Sequence, residues 1–332
     1  MKKRFRILLV GLAAALTVAA ALTATSSAKP KTVINVGIDI PFYPMFDYIK
    51  ALNGKEYFKG KPYVVNFNVL DATTQVPAFG KGDLDVMTTV PSFMPRVMDT
   101  YHLKVQYFYP LARWTVGPQL LVKSSSPYKT LADLKGKTVA IQPLKTRFGA
   151  EEAAIEAATG QNIRTYFKLK ETDAAPQELA LGRADAAFIE APATYPLLAT
   201  KKFKAIYSVH DAFLKGIGDP AVMNGGFIAR SSFIKDNPQF IHDLVAAFAD
   251  AWSKYQKNPH TINSVASKES GIPEAQLAAV GTILNLVKMS PAQKKVTQRD
   301  VQTWQKLFPL LEKSGFIQKV PANIPSLFVI TK

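Results

Sequence analysis

The chain has 332 residues, no cysteine, and 41 lysine and arginine residues against 25 aspartate and glutamate, a formal charge of +16. That length suffices for two domains with substantial cores, and the missing cysteine excludes disulfides, thiol nucleophiles and lipid attachment through a cysteine. The basic residues are scattered rather than clustered, which fits a solvated surface or an anionic solute better than nucleic acid.

Lys2, Lys3, Arg4 and Arg6 open the chain, an apolar run covers residues 7–22, and small residues lead to Ser26-Ser27-Ala28. This order is the layout of a secretory signal, so cleavage after Ala28 is predicted, leaving a soluble periplasmic chain that begins at Lys29. A retained anchor is the alternative, although 16 apolar residues fall just short of the roughly 17 needed to span a bilayer. Without residues 1–28 the formal charge is +12. No internal repeat and no low-complexity linker follows, so any division into domains lies inside an ordered chain.

Residues 33–40 (VINVGIDI) alternate and are rich in β-branched types, which predicts a strand broken by Pro41 and Pro44. Residues 64–70 and 85–90 read as further strands, with a short helix over 74–79 ending at Gly80. Residues 139–141 and 186–189 read as short buried strands, each followed by a helix with a proline near its start. The last hundred residues are mainly helical, with Ile241, Leu244, Val245, Phe248, Trp252 and Tyr255 on one face and a stop at Asn258-Pro259. The alternation of strands and helices predicts an α/β fold with sheets covered by helices.

The segment order resembles the periplasmic binding proteins for aliphatic sulfonates, taurine and nitrate, relatives of thiamine-precursor binders. The similarity runs over residues 32–318. It is carried by an opening strand with an aromatic loop and Gly54-Lys55-Glu56-Tyr57-Phe58, by FGKGDLDVMTTVPSFM (79–94) and by LADLKGKTVAIQ (131–142). ALGRADAAFIEAP (180–192) and the helix segment FIKDNPQFIHDLVAAFADAWSKYQKNP (233–259) complete it. The resemblance implies two α/β domains joined by a two-crossing hinge, the type II periplasmic binding protein fold, with a helical C-terminal region. Residues 32–116 and 225–332 would form one domain and 117–224 the other. It further implies the substrate-binding component of an ABC importer, acting as a monomer with a membrane permease, without cofactor or metal. The cargo would be a small organic anion such as a sulfonate, a taurine-like molecule or an aromatic acid. A sensor partner of a membrane receptor, or a binder of a neutral thiamine-precursor-like heterocycle, fits the same pattern.

In open α/β sheets ligands bind beyond the carboxyl ends of the strands, where helix N-termini present free N–H groups. Residues just after the predicted strands are therefore the candidates. Phe42 and Tyr43 could form an apolar wall or be core; Thr73 follows the second strand; and Thr88, Thr89 and Ser92 offer hydroxyls, as ligand donors or helix caps. Thr146 could cap the helix that runs to Thr159, with Lys145 and Arg147 flanking it as anion ligands or as solvated side chains. Arg113 would add to an anion site, whereas Asp39, Asp71 and Glu190 would favour an amine or zwitterion if they faced the cleft. At the two crossings implied by the family, Trp114 and Asn224 would face the cleft, with Gly225-Gly226 as a hinge or a strand bulge. His102, His210, His242 and His260 lack metal-ligand spacing, and no nucleophile elbow or phosphate loop occurs, so the sequence points to binding rather than catalysis.

Overall fold

A computed structural model describes residues 32–38, 44–115, 117–144, 147–190, 193–283 and 294–330; the predicted export signal at 1–28 lies outside them. The β-branched runs TVINVGI and YVVNFNV form β1 (Thr32–Ile38) and β2 (Tyr63–Val69), separated by α1 (Pro44–Ala51). Helix α2 (Ala72–Lys81), β3 (Val86–Thr89), α3 (Met94–Tyr101), β4 (Val105–Pro110) and the two-residue β5 (Arg113–Trp114) follow. Next come β6 (Gln119–Lys123), β7 (Thr138–Ile141), α4 (Gly149–Thr159), α5 (Ile163–Tyr166), β8 (Lys168–Glu171), α6 (Ala175–Ala180) and β9 (Ala186–Ile189). Helix α7 (Thr194–Ala199), β10 (Phe203–Ser208), α8 (Val209–Ala212), β11 (Val222–Met223) and β12 (Gly226–Arg230) bring the chain back. It ends in helices: α9 (Ser231–Asp236), α10 (Pro238–Lys257), α11 (Pro259–Ser270), α12 (Glu274–Ile283) and α13 (Gln298–Lys313).

The strands make two five-stranded sheets with the same plan. The first runs β2-β1-β3-β12-β4 and the second β8-β7-β9-β6-β10. In each, three strands are parallel, and the two at the far end run antiparallel to their neighbours. Short central strands such as VMTT and AAFI are buried throughout because helices cover both faces. A third, two-stranded sheet pairs β5 with β11, Trp114 opposite Val222 and Arg113 opposite Met223, exactly where the chain leaves and re-enters the first sheet's elements.

Several expectations change in detail. The helix predicted to end at Gly80 runs on to a cap at Gly82, which takes φ 99°. Gly80 is instead a close-contact site: a Cβ there would lie 2.4 Å from the Tyr101 ring. Pro44 does not merely break the strand; it opens α1, where its missing N–H is harmless. On α10 the buried stripe is Phe240, Leu244, Ala247, Phe248, Ala251, Trp252 and Tyr255, while Ile241 and Val245 are only half-buried at its edge.

The β5–β11 ribbon is tied to the C-terminal helix by a buried ion pair. Arg113 Nη1 and Nη2 donate to the two carboxylate oxygens of Asp300 at 2.5 and 3.1 Å, and also to the carbonyls of Ala221 and Lys295 at 2.9 Å each. Asp300 in turn accepts from the Thr297 N–H and hydroxyl at 2.8 and 2.7 Å, closing a capping box at the start of α13. Thus Arg113, a candidate anion ligand in the sequence, is a structural cation with its donors engaged. Replacing it leaves a buried carboxylate without its counter-charge. Arg113→Met should therefore lower the unfolding free energy by roughly 3–5 kcal/mol in urea denaturation. A loss below about 1 kcal/mol would mean that water readily replaces the guanidinium.

Candidate functional site

The shared strand order creates a crevice in each sheet. The second and third parallel strands lie on opposite sides of the first, so their connections leave on opposite faces, and ligands of such folds sit at that switch point. The switch points are β1/β3 and β7/β9.

At β7/β9 the register sets Val139 beside Ala186 and Ala140 beside Ala187, so Gln142 and Glu190, the residues that follow each strand, emerge at one end. Helix α4 starts just above them, its first turn held by Phe148 against Phe188 at 5.1 Å. Glu151, in that first turn, is 2 % exposed. Burial holds its carboxyl well above the usual carboxylate range, and the neighbouring Glu190 charge raises it further. Glu190 is itself pushed up to about 7 by burial, with the Arg147 charge opposing. Glu152, the next residue, is as buried but grips Arg164 through two bonds of 2.6 and 2.8 Å. Burial alone therefore does not leave an acid in this helix unpaired. The loop after β7 is pinned by Glu171, which accepts from the Leu144 N–H at 2.9 Å, and the loop after β9 by Thr194 Oγ1 on the Ile189 carbonyl at 2.8 Å.

At β1/β3 the equivalent end carries Thr88, Thr89 and then a 3₁₀ turn, Pro91–Phe93. All three predicted hydroxyl residues are buried, and the turn's cap is Val90 without a side-chain bond, so simple capping does not account for them. Successive strand residues face opposite sides of a sheet, so Thr88 and Thr89 cannot both look toward one ligand. Thr88 is fully buried, and Thr89 pairs across the sheet with Gly226.

One side chain relates the two ends. The Phe316 ring lies 5.3 Å from the Phe93 ring in the 3₁₀ turn, and so close to the start of α4 that a Cβ on Gly149 would fall 2.0 Å from it. Arg96 lies over both phenyl rings, at 5.6 and 5.4 Å. The turn after β3 and the N-terminus of α4 are thereby brought together around a single wedge.

Not every candidate arrives at these ends. Phe42, Tyr43, Asp39, Lys145 and Thr146 lie outside the described residues, as does the side chain of Thr73 in the first turn of α2. Helix α4 begins at Gly149 with Phe148 as its cap residue, so Thr146 stands before the cap position. Trp114, expected to face the cleft, is buried and stacks on Phe213 at 4.8 Å, which makes it packing for the ribbon. Asp71 is engaged as the cap of α2, accepting from the Thr74 N–H at 2.9 Å. Arg147 is 51 % exposed and only loosely paired, 3.7 Å from Asp173. Asn224 is half-buried beside the ribbon, its N–H on the Ala112 carbonyl at 3.0 Å. Gly226 takes no left-handed φ; it is required because a Cβ would lie 1.9 Å from the Tyr107 hydroxyl. Sequence reasoning missed Glu151. Two adjacent acids in a first helical turn normally complement the helix dipole, so nothing in the local sequence marks the one that is buried.

A cavity of about 660 Å³ lies elsewhere, lined by Ile217, Gly218, Arg299, Thr303 and Lys306 among others. Its cations are engaged with the end of a π-helical turn: Lys306 donates to the Ile217 carbonyl at 3.0 Å and Arg299 to the Gly218 carbonyl at 3.3 Å. It is a cap, and the strand ends remain the candidate site.

Two sheets of this order with a paired crossing define the α/β fold of the periplasmic binding proteins. Within that class, residues 117–262 match the family model described as NMT1/THI5 like. The periplasmic aliphatic sulphonate binding protein SsuA from Escherichia coli is similar at TM-score 0.71 and 18 % identity, covering 91 % of this chain and 93 % of that one. The alkanesulfonate-binding protein SsuA from Xanthomonas axonopodis pv. citri, bound to MOPS, is similar at 0.65 and 16 %, covering 89 % and 97 %. The desulfurization enzyme DSZB is similar at 0.60 and 12 %, covering 90 % and 97 %. No curated protein matches the chain.

The raised carboxyls set a pH signature. Folding holds protons on Glu190 and Glu151 that the unfolded chain releases, so their contribution favours the folded state at low pH and is lost as pH rises. For Glu190 the window runs from about 4.5 to about 7. Unliganded protein should lose stability across that window, and Glu190→Gln should flatten this part of the profile in urea titrations at pH 5, 6, 7 and 8. An unchanged slope in the variant would show that Glu190 titrates normally.

Proposed function

We propose that this chain is the solute-binding component of an ABC importer, holding a small organic acid between two domains, 32–116 with 225–332 and 117–224. The observation that supports this best is the meeting of the two strand ends around Phe316, with Thr89 and Ser92 on one side and the loose Arg147 on the other. The β5–β11 ribbon is short, and rotation about it would close the cleft on the ligand and create the shape a permease recognises. The sulfonate-binding neighbours favour an organic acid as cargo. DSZB shares the fold, so the fold alone does not decide between binding and catalysis; the binding reading rests on the more similar neighbours and on the missing nucleophile. Among the described residues no helix is long and apolar enough to cross a membrane. On this reading the chain is exported, cut after Ala28, and works as a periplasmic monomer.

Arg147 carries the test. A charge-assisted bond contributes about 1.5–3 kcal/mol, so Arg147→Ala should weaken binding of an alkanesulfonate, selected by thermal shift, roughly 10- to 150-fold in calorimetry. Unfolding free energy should stay within about 0.5 kcal/mol, because the side chain is exposed and packs little. Wild-type affinity in the variant would move the anion contact elsewhere.

A further inference from the structure

We infer that Phe316 is a latch between the two domains: α13 holds it on the second domain, and its contact with Phe93 on the first keeps the empty cleft from opening fully. This rests on the two-domain reading above and adds to it the element that opposes rotation about the β5–β11 ribbon.

Phe316 moves with the second domain. Helix α13 is grouped with the first domain by chain order, yet it packs against α4 and the π-helical turn Phe213–Ile217. The buried Thr303 hydroxyl donates to Asp219 at 2.7 Å, Lys306 to the Ile217 carbonyl at 3.0 Å, and Lys313 to Glu156 at 2.6 Å. On the same helix Trp304, Leu307, Phe308 and Leu311 are fully buried, so lifting α13 from this seat would expose a whole apolar stripe. Phe316 is locked to the end of that helix. Gly315 takes φ 74°, a left-handed turn that glycine adopts without strain, and the Phe316 N–H donates back to the Leu311 carbonyl at 2.9 Å. The ring then lies against the start of α4, where a Cβ on Gly149 would fall 2.0 Å from it.

Phe316 also meets the first domain. Phe93, in the turn after β3, stands edge-on to its ring at 5.3 Å, and Arg96 of α3 lies over both rings. Beyond Phe316 the chain itself returns to that domain at β4. The Val329 N–H donates to the Tyr107 carbonyl at 2.9 Å, Gln106 Nε2 donates to the Ser326 carbonyl at 3.1 Å, and the Phe328 ring packs on the Tyr107 ring. Residues 318–323, mostly exposed, link the two anchorages and span at most roughly 20 Å when extended. Separating the domains must therefore break a contact. The α4 side of Phe316 is fixed by α13, whereas Phe93 is half-buried and holds the ring by an aromatic contact of ordinary strength. When the strand ends move apart, Phe316 stays with Gly149 and leaves Phe93 and Arg96. That contact favours the closed arrangement in the empty protein, so a ligand that needs closure finds the competent state already populated.

The chain has no native cysteine, so Lys59→Cys and Lys168→Cys, exposed sites on the first and second domains, give one spin-labelled pair that reads the placement of the domains. Pulsed electron spin resonance is recorded on unliganded protein with this pair alone, and with Phe316→Ala, Phe93→Ala or both added. The expected result is one main distance without the alanine changes. Each single alanine variant should raise the ratio of a second, open distance to the main one roughly 2- to 12-fold, the worth of one aromatic contact. The double variant should open no further than either single one, because both remove the same contact. A distribution unchanged in both single variants overturns the latch. So does opening that adds in the double variant, which is the mark of two separate packing defects. Neither outcome touches cargo binding, which the Arg147→Ala calorimetry decides on its own. If Phe316→Ala fails to fold, Phe93→Ala, which truncates a half-buried side chain, still decides.

Discussion

Strand order is the constraint from which the rest of this molecule follows. In both sheets the first parallel strand lies between the second and third, so the helices that follow must leave on opposite faces and cannot cover the strand ends between them. A crevice is left in each sheet by geometry, before any side chain is specified. The returning antiparallel strands, β12 with β4 and β6 with β10, then widen each sheet on the same side. Among the described residues the chain crosses between the sheets at β5 and β11, and it makes those two crossings neighbours by pairing them.

That short ribbon needs support, and the C-terminal region provides it. Arg113 and Asp300 bind the ribbon to α13 through a buried, bidentate ion pair, whose geometry and extra hydrogen bonds offset the cost of desolvating two charges. Phe316, just beyond α13, wedges between the start of α4 and the turn after β3, and Gly149 exists to admit it. Packing and electrostatics pull apart at that spot. The same first turn of α4 holds Glu151, whose burial disfavours the folded state at neutral pH. The same helix spares Glu152, one residue on, by pairing it with Arg164.

Much of the fold was legible in the sequence, because strands buried on both faces leave a strong local signal. The runs at 33–40, 85–90, 139–141 and 186–189 mark β1, β3, β7 and β9 almost residue for residue. Since ligand positions follow from strand ends, the segments to inspect were legible too. What could not be read was the partner of each side chain. Arg113 and Trp114 are a cation and an aromatic at a chain crossing, and only the distant Asp300 and Phe213 show that both are structural. Gly80 and Gly82 are two residues apart and equally plausible as a helix stop; Tyr101, packed against the first, decides it. Glu151 hid for the opposite reason. An acid in a first helical turn has a ready local explanation, and its burial beneath the β7/β9 ends depends on contacts far from it in the chain.

The central claim is that one small molecule touches both strand ends at once. Hydrogen exchange with and without an acid selected by thermal shift tests it most directly, since closure should protect backbone amides on both sides together. The account predicts simultaneous protection in residues 89–93 and in 148–152 with 193–196, while the face of α13 around residues 299–306 stays unchanged. Protection confined to one of the two sheets, or centred on residues 299–306, would contradict it.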